Sequence, residues 1–455
     1  MPKLRLLHTN DMHSYLDDFA RLAYLVNKIR DEHPDTLLFD AGDSVSGSIY
    51  YNLYEGKKEA TFMTLLGYDA MTLGNHDFDR GTHGVLNFIS SCSVPVISSN
   101  IDFSRDEALP ELPNYLIKNN WGIFALTTLE TIEKAEPSPE TVFKNPLNVA
   151  KEMVAHLKGL QLDGIILLSH LGKSMDERLA LAVPGIDVII GGHTHDVLYE
   201  PIRVGDTFIL QAGCHGKFLG EFSLDLSDRS YIAKIHDIDG KIPEDKAFEP
   251  LIRGIQKERD RFSSRVIAEA AFRLDGDRAQ IKTGETNLGN LVIDAYFQKA
   301  KNLGYQPDCA ILNGLGIRTS LEKGPISIGD LVKVLPYSKS LMILECTGAQ
   351  IKAALQHGLY PQVSQLSLTF CDGQLTRVLL HGDPLRDDQR YRVATNTFCG
   401  SGKDGFDAGF DDAVTVAKNL VLDIDLLAEY MISLLQPIRY GLDGRLIYLS
   451  KTEGK

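Results

Sequence analysis

Residues 4–13 read Leu-Arg-Leu-Leu-His-Thr-Asn-Asp-Met-His, an apolar run that is soon followed by an acid and a histidine. The run at 4–7 predicts a β-strand. In Asp11-Met-His13, an extended backbone would point both polar side chains to the same side, because side chains alternate along a strand. The stretch therefore predicts a strand that leads into a loop able to bind a metal ion.

The order of apolar run and polar cluster recurs through the first half of the chain. The runs predicted as strands are 4–7, 36–39, 70–73, 94–98, 123–126, 164–168, 188–190 and 208–211. Helix-period segments such as 19–30 and 146–157 lie between several of them. This alternation predicts a layered α/β domain in which helices cover the sheets.

Side chains that can bind metals follow these runs within a few residues. They are Asp11, His13, Asp43, Asn75, His170, His193 and His195, with His76 beside Asn75. In open α/β folds, ligands bind beyond the carboxyl ends of the strands, where loops from separate segments converge. We therefore expect these side chains to meet at one site.

The chemistry of this set indicates the kind of ion. Carboxylate, amide and imidazole groups without a thiolate suit Mn, Zn, Fe or Co. A two-metal site holds its ions roughly 3.5–4 Å apart. One carboxylate has to be shared between them, and Asp43, on its own loop, is the natural bridge. A single histidine or a single Asp-x-His would more often be structural, so only the ordered combination favours a metal site.

The alternation of apolar runs and polar clusters ends near residue 244. Residues 244–265 form a charged stretch with helix-spaced apolar positions, which we interpret as a helical linker, although an ordinary surface helix would show the same pattern. Residues 266–455 carry their own glycine-rich turns and predict a smaller α/β domain. The predicted organisation is a first domain at 1–243, the linker at 244–265 and a second domain at 266–455.

Composition limits the partners of the protein. The 47 Lys and Arg stand against 61 Asp and Glu, and the formal net charge is −14. This balance argues against a nucleic-acid polymer as partner but not against a small anionic substrate.

No apolar run approaches the roughly 18 residues that a membrane span needs, and the six scattered cysteines predict free thiols. Because no secretory leader precedes the first strand, we expect a cytoplasmic protein; the oligomeric state stays open.

Motifs in both halves resemble one enzyme family. The first half resembles the calcineurin-like metallophosphoesterases in its motifs Asp11-Met-His13, Gly42-Asp43, Gly74-Asn-His-Asp77, His170 and Gly192-His-Thr-His195. The second half is similar to the C-terminal domain of 5′-nucleotidases in its motifs Thr283-Gly-Glu-Thr-Asn-Leu-Gly-Asn290, Asn313-Gly-Leu-Gly-Ile-Arg318, Leu335-Pro-Tyr337 and the segment 398–406. The resemblance to the 5′-nucleotidase family, including its bacterial bifunctional metallophosphatases, implies a calcineurin-like α/β/β/α catalytic domain and a smaller α/β substrate-binding domain.

The resemblance also implies roles for single residues. One metal would be held by Asp11, His13, Asp43 and His195, and the other by Asp43, Asn75, His170 and His193. His76 would face the scissile phosphate and would be oriented by Asp79. The substrate would be bound by Asn313, Arg318, Tyr337, Phe398 and Asp404, with the two aromatic rings stacking on a nucleobase. Without the neighbouring motifs, both rings would more simply be core aromatics.

The implied activity is a metal-dependent hydrolysis of phosphate esters, with nucleoside 5′-monophosphates as the expected substrates. A hydroxide bridging two cations forms near neutral pH and could attack phosphorus. A 2′,3′-cyclic nucleotide phosphodiesterase, a nucleotide-sugar pyrophosphatase and, in another class, an inactive nucleotide-binding protein stay open. The chain departs from the family pattern at Lys282, Leu315, Lys339 and Lys403, all in the second half. His215 could line the metal site, but a structural role is favoured.

Overall fold

The computed structural model describes residues 3–105, 109–135, 137–138, 140–337 and 339–449. The chain divides into two compact units, Met1–Arg259 and Asp260–Lys455. The division falls inside the stretch 244–265 that the sequence predicts as a linker. Both units combine helices and strands, which confirms the predicted α/β class.

The first unit contains the elements that carry the predicted metal ligands. Its strands are β1 Lys3–Thr9, β2 Leu37–Asp40, β3 Ala70–Met71, β4 Ile101–Asp102, β5 Tyr115–Lys118, β6 Trp121–Thr127, β7 Val142–Phe143, β8 Gly164–His170, β9 Val188–Gly191, β10 Ile202–Val204, β11 Thr207–Leu210, β12 Phe218–Asp225 and β13 Tyr231–Asp237. Its helices are α1 Phe19–Glu32, α2 Ile49–Tyr54, α3 Lys57–Leu66, α4 Gly81–Ser90, α5 Thr131–Lys134, α6 Pro146–Lys158, α7 Lys173–Ala182 and α8 Glu249–Ser263.

Two mixed sheets form the centre of this unit. One has the order β13-β12-β1-β2-β3 and the other the order β10-β11-β9-β8-β6-β5. The strands β1, β2 and β3 run parallel to one another, and so do β6, β8, β9 and β11. Parallel strands of one sheet end at the same edge, so the loops that follow them leave the sheet together.

The apolar faces of the two sheets pack against each other. Leu6 and Phe39 of the first sheet share a buried cluster with Ile123, Ile166 and Val188 of the second. Helices α1, α3 and α4 pack on the outer face of the first sheet, and α6 and α7 on the outer face of the second. Strands β6 and β8 are buried along their whole length, as parallel strands covered on both faces should be. The predicted α/β/β/α layering is confirmed.

Helix α8 packs on the first unit through its apolar face. Ile252 and Ile255, with Phe248 just before the helix, belong to the same buried cluster as Phe19 and Phe62. The Phe248 ring lies 5.6 Å from the Phe19 ring, centroid to centroid. The charged stretch predicted as a linker therefore includes a helix with a buried side.

One predicted strand is wrong. Residues 94–98 form only a single bridge, between Val96 and Met71. Pro95 has no backbone N–H to give to a ladder, although its carbonyl accepts a hydrogen bond from the Met71 N–H at 3.0 Å. The segment continues the edge of the sheet for one residue and then turns away.

The second unit is the smaller one. Its strands are β14 Val266–Ala270, β15 Cys309–Asn313, β16 Gly324–Ser327, β17 Leu341–Thr347, β18 Pro361–Ser364, β19 Leu366–Cys371, β20 Gln374–Leu380, β21 Asp383–Pro384, β22 Arg390–Asn396, β23 Val414–Ala417 and β24 Leu446–Leu449. Its helices are α9 Arg278–Thr283, α10 Asn287–Asn302, α11 Ile328–Val334, α12 Gly348–His357, α13 Thr397–Gly400, α14 Asp407–Phe410 and α15 Asp423–Ser433. Its main sheet has the order β18-β15-β22-β17-β23.

Helix α10 is the central helix of the second unit. Its residues Leu288, Leu291 and Ile293 are fully buried against the main sheet and α15. The side chain of Thr286 caps its start by accepting a hydrogen bond from the Gly289 N–H.

Within the described ranges, no helix of either unit is both long and apolar enough to span a bilayer.

Candidate metal centre

The predicted metal ligands lie at or just beyond the carboxyl ends of strands. Asp11 and His13 follow β1, Asp43 follows β2, Asn75 follows β3, His170 ends β8, and His193 and His195 follow β9. The loops of the two sheets meet at one place. Each of the two donor groups combines side chains from both sheets, with ligand atoms within 4.8 Å of one another. The convergence expected from the strand pattern is thus present in the structure.

The first donor group, site 1, consists of Asp11, His13 and His195. Their ligand atoms all lie within 4.8 Å of one another. The His195 Nε2 lies 3.2 Å from Asp11 Oδ1 and 3.2 Å from His13 Nε2. Two imidazole nitrogens and a buried carboxylate so close together are the arrangement expected of ligands that share one cation.

The second donor group, site 2, consists of Asp43, His170 and His193. The His170 ring is fully buried, and its Nδ1 lies 2.7 Å from the Ala41 carbonyl, to which it can donate. That bond leaves Nε2 as the nitrogen with a free lone pair, the usual arrangement of a metal-binding histidine. His170 Nε2 lies 3.1 Å from Asp43 Oδ2 but has no hydrogen-bond partner among the described residues.

Asn75 and Asp43 complete the arrangement. The Asn75 Oδ1 is buried and has no hydrogen-bond partner in the part of the chain that the structure describes. Asp43 Oδ2 lies 3.8 Å from His13 Nε2 of site 1 and 3.1 Å from His170 Nε2 of site 2. A buried acceptor without a donor is costly, and a divalent cation would satisfy both Asn75 and His170. The donor set therefore fits divalent cations, with Asp43 facing both sites.

Asp77, the last residue of the motif Gly74-Asn-His-Asp77, holds the Asp43 loop in place, a role that could not be predicted from the sequence. Its carboxylate accepts hydrogen bonds from the backbone N–H groups of Asp43, Val45 and Gly74 at 3.1, 3.2 and 2.7 Å. Burial raises its pKa to about 8. Gly74 is required beside it, because a Cβ at that position would lie 2.1 Å from Asp43 Oδ1.

Asp40 fixes the turn from β2 into the same loop. It accepts hydrogen bonds from the Thr9 hydroxyl at 2.6 Å, the Ser44 hydroxyl at 2.8 Å and the Gly42 N–H at 3.0 Å. Burial raises its pKa to about 7. The roles of Asp40 and Asp77 could not be predicted, because the groups that donate to their carboxylates come together only in the folded loop.

The site is built on an uncommon backbone conformation. Left-handed φ values occur at Asp11 (52°), His13 (49°), Asp43 (53°), His193 (75°) and His195 (58°). Such a conformation costs a residue with a side chain about 1–3 kcal/mol and persists only where the surroundings enforce it. Strain at five of the predicted ligands is typical of a functional site.

The charges of the two sites are strongly coupled. Burial lowers the pKa of His13 to about 4. Burial acts on His170 in the same direction, but the Asp43 carboxylate outweighs it and raises the pKa of His170 to about 10. The pKa of Asp43 is held well below its usual range by His170, His76 and His13, against the effect of burial. A bound cation would take the place of the proton on His170.

His76 lies beside the two sites but belongs to neither donor group. Its ring centroid is 5.2 Å from that of His13, and 43% of its side chain is exposed. Its Nδ1 lies 2.9 Å from Asp79 Oδ2, which also accepts a hydrogen bond from the Ser46 hydroxyl at 2.5 Å. The pair therefore presents an oriented imidazole next to the metal sites, as the family resemblance implies.

Two further residues, Glu130 and His215, lie at the site, although the sequence did not predict a role for them there. Glu130 Oε2 lies 3.1 Å from His193 Nε2 and can orient that ring. His215, for which a structural role was favoured, has its ring centroid 5.6 Å from that of His13 and 5.9 Å from that of His195. Its position between Gly213 and Gly216 was a signal for a tight turn, but not for proximity to the metal ligands.

The predicted substrate-binding residues all line one cavity of about 360 Å³ in the second unit. They are Asn313, Arg318, Tyr337, Phe398 and Asp404. Tyr337 is 57% exposed, so it is not a core residue. Asn313 Nδ2 donates a hydrogen bond to Asp404 Oδ2 at 2.7 Å, which adds a structural contact to the role expected of both.

A cationic side chain lies over the Tyr337 ring of this cavity, and another lies over the Phe398 ring. The Arg318 guanidinium lies 5.3 Å from the centroid of Tyr337, and the Lys339 Nζ lies 5.6 Å from that of Phe398. Arg278 and the buried Asp423 also line the cavity and were not identified from the sequence. The cavity thus combines two aromatic faces with several charged groups.

Comparison with known proteins agrees with this geometry. Residues 4–197 match the calcineurin-like phosphoesterase family, and residues 266–411 match the 5′-nucleotidase C-terminal domain. The crystal structure of a 5′-nucleotidase precursor from Thermus thermophilus is 30% identical in sequence, covers 98% of this chain and 99% of its own, and superimposes with a TM-score of 0.68. The chain belongs to the 5′-nucleotidase family. It is a metal-dependent phosphoester hydrolase.

Curated relatives of this 5′-nucleotidase family member are similar along nearly the whole chain. The human 5′-nucleotidase is 28% identical over 98% of this chain and 90% of its own length. The trifunctional nucleotide phosphoesterase protein YfkN of Bacillus subtilis (strain 168) is 30% identical over 97% of this chain, which spans only 35% of YfkN. The family resemblance seen in the sequence motifs is confirmed.

Proposed function

We propose that the protein hydrolyses nucleoside 5′-monophosphates to a nucleoside and phosphate, with two divalent ions held at site 1 and site 2. Site 1 would consist of Asp11, His13, Asp43 and His195, and site 2 of Asp43, Asn75, His170 and His193. The observation that carries this proposal is that Asp43 faces both sites, with its Oδ2 3.1 Å from the buried His170 Nε2 of site 2 and 3.8 Å from His13 Nε2 of site 1. The donor types favour Mn, Zn, Co or Fe.

The ions, when bound, would supply Lewis-acid stabilisation of the phosphoryl oxygens and activate a water. His76 would contact the ester beside them. Its Nδ1 lies 2.9 Å from Asp79 Oδ2, and the ring so oriented would stabilise charge on the phosphoryl group or donate a proton to the departing oxygen. Asp79 would keep the ring oriented.

The second unit would supply recognition of the nucleoside. The exposed ring of Tyr337 and the half-buried ring of Phe398 line the same cavity, and every nucleobase has a π-face on which they could stack. Asn313, Arg318 and Asp404 would add polar contacts to the ribose or base. The named activities of the human and Bacillus subtilis relatives support a nucleotide as substrate.

The test is a panel of phosphate esters assayed with Mn, Zn, Co and Mg in turn. The panel contains a nucleoside 5′-monophosphate, a 2′,3′-cyclic nucleotide, a nucleotide sugar and an aryl phosphate. We expect the highest kcat/KM for the 5′-monophosphate with a transition metal. A higher kcat/KM for the cyclic nucleotide or the nucleotide sugar would replace the proposed substrate with one of these alternatives, which the trifunctional name of the Bacillus subtilis relative makes worth including.

A further inference from the structure

His215 brings another imidazole to the metal centre. The ring of His13 is approached edge to face by the rings of His76, His195 and His215, at centroid distances of 5.2, 5.1 and 5.6 Å. Two of these rings have roles in the proposed function: His195 in site 1, and His76 beside the phosphate. His215 lies at a similar distance from His13 and has no assigned role.

The ring of His215 is held in a defined position. The residue has a left-handed φ of 60°, which is uncommon for a residue with a side chain. Its N–H donates a hydrogen bond to the Asp11 carbonyl at 2.7 Å, and this bond enforces the conformation next to a site 1 ligand. Its ring stacks on Tyr15 with a centroid distance of 4.1 Å and an interplanar angle of 27°.

A purely structural role does not account for this arrangement. His215 is half-buried, and its stacking partner Tyr15 is 41% exposed, so the pair lies at the rim of the site and not in the core. An imidazole at the rim of the site can donate a hydrogen bond to a bound ligand through a ring N–H.

We propose that the His215 imidazole donates a hydrogen bond to the phosphate group bound at the metal centre, as a second phosphate-binding imidazole beside His76. The inference rests on the phosphoester hydrolysis of the proposed function. Hydrogen bonds to an ionised phosphate are about twice as strong as those between neutral groups. Because phosphate is common to all substrates, His215 would act on every ester alike.

The experiment uses His215→Gly and His215→Asn in the metal-loaded protein. Glycine removes the ring and accepts the left-handed backbone, so the Tm should stay equal or rise by a few degrees, and the metal content should equal that of wild type. We expect the Kd of inorganic phosphate, measured by calorimetry, to rise by about 10- to 100-fold, as for loss of a hydrogen bond to a charged group. The kcat/KM should fall by the same factor for a nucleotide and an aryl phosphate. The His215→Asn variant tolerates the backbone and keeps an N–H donor, so we expect an intermediate effect.

Gln306→Gly is the matched control, because Gln306 also has a left-handed φ, 50°, and lies exposed in the second unit. It should change the Tm in the same way without changing phosphate affinity. Unchanged phosphate affinity and kcat/KM in His215→Gly would overturn the proposal, and so would loss of metal, which would show that His215 acts through the ligands. If wild type binds phosphate but hydrolyses no nucleotide, the proposed function fails while the phosphate Kd of His215→Gly still decides the role of His215.

Discussion

Replacing His76 with alanine separates metal binding from turnover. His76 belongs to neither donor group, and 43% of its side chain is exposed. Its contact with Asp79 is partly exposed, and ion pairs near the surface contribute only about 0–1 kcal/mol to stability. We therefore expect the Tm and the metal content of His76→Ala to match those of wild type within a few degrees and a tenth of an equivalent. General acid assistance contributes roughly 10²–10⁴-fold to rate, so kcat should fall within that range.

The acidity of the leaving group gives a second, more specific prediction for His76→Ala. An aryl phosphate releases an acidic phenol that needs little protonation, whereas a nucleotide releases a basic alkoxide. If His76 protonates the leaving oxygen, His76→Ala should lose at least about ten times more kcat on the nucleotide than on the aryl phosphate. An equal loss on both esters would assign His76 to charge stabilisation alone.

Two variants serve as controls for His76→Ala. Asp79→Asn keeps the shape of the ring's partner but removes its charge, and should give a smaller loss of kcat than His76→Ala. His83→Ala removes a histidine whose side chain is 71% exposed on the neighbouring helix α4, and should leave kcat unchanged. Loss of metal together with turnover in His76→Ala would refute the reasoning, because His76 would then be a ligand.

Three further predictions concern the cavity, the loop and the sheet. Phe398→Ala should raise KM for nucleotides roughly 5- to 150-fold, as for loss of one base stack, and leave KM for an aryl phosphate unchanged; equal effects in steady-state kinetics would argue against stacking. Gly74→Ala would place a Cβ 2.1 Å from Asp43 Oδ1, so it should reduce the metal content measured by mass spectrometry. The control Gly240→Ala, with no atom within 4 Å of its Cβ, should leave the metal content unchanged. Normal metal content in Gly74→Ala would show that the loop can shift. Burial lowers the pKa of His8 to about 3 from a usual 6.5, so its contribution to stability is complete above pH 6.5 and is lost as the pH falls towards 3. That contribution is up to about 5 kcal/mol. Chemical denaturation should show a weaker pH dependence in His8→Leu than in wild type, and an identical one would contradict a buried, neutral His8.

The metal ligands could be predicted from the sequence because their signal is local. Each follows an apolar run that becomes a strand, and a parallel sheet ends its strands at one edge. Residue type and position alone therefore identify Asp11, Asp43 and His170, and the structure places His170 Nε2 4.0 Å from Asp11 Oδ1 and 3.1 Å from Asp43 Oδ2. The alternation of strand and helix predicted a layered α/β domain, and the family resemblance implied its α/β/β/α order.

The supporting residues could not be predicted, because their roles arise only in the folded chain. Asp77 acts by accepting backbone N–H groups from two loops, and His215 reaches site 1 because a left-handed turn directs its ring there. The strand predicted at 94–98 failed because Pro95 interrupts the ladder. In the sequence, Lys339 is only a departure from a motif, whereas the structure places its Nζ 5.6 Å from the centroid of the Phe398 ring.

Anomalous diffraction from crystals of the protein loaded with Mn or Zn tests the central claim most directly. We predict two metal peaks roughly 3.5–4 Å apart, both within bonding distance of the Asp43 carboxylate, with His195 at one and His170 at the other. A single peak, or two peaks that do not share Asp43, would contradict the account.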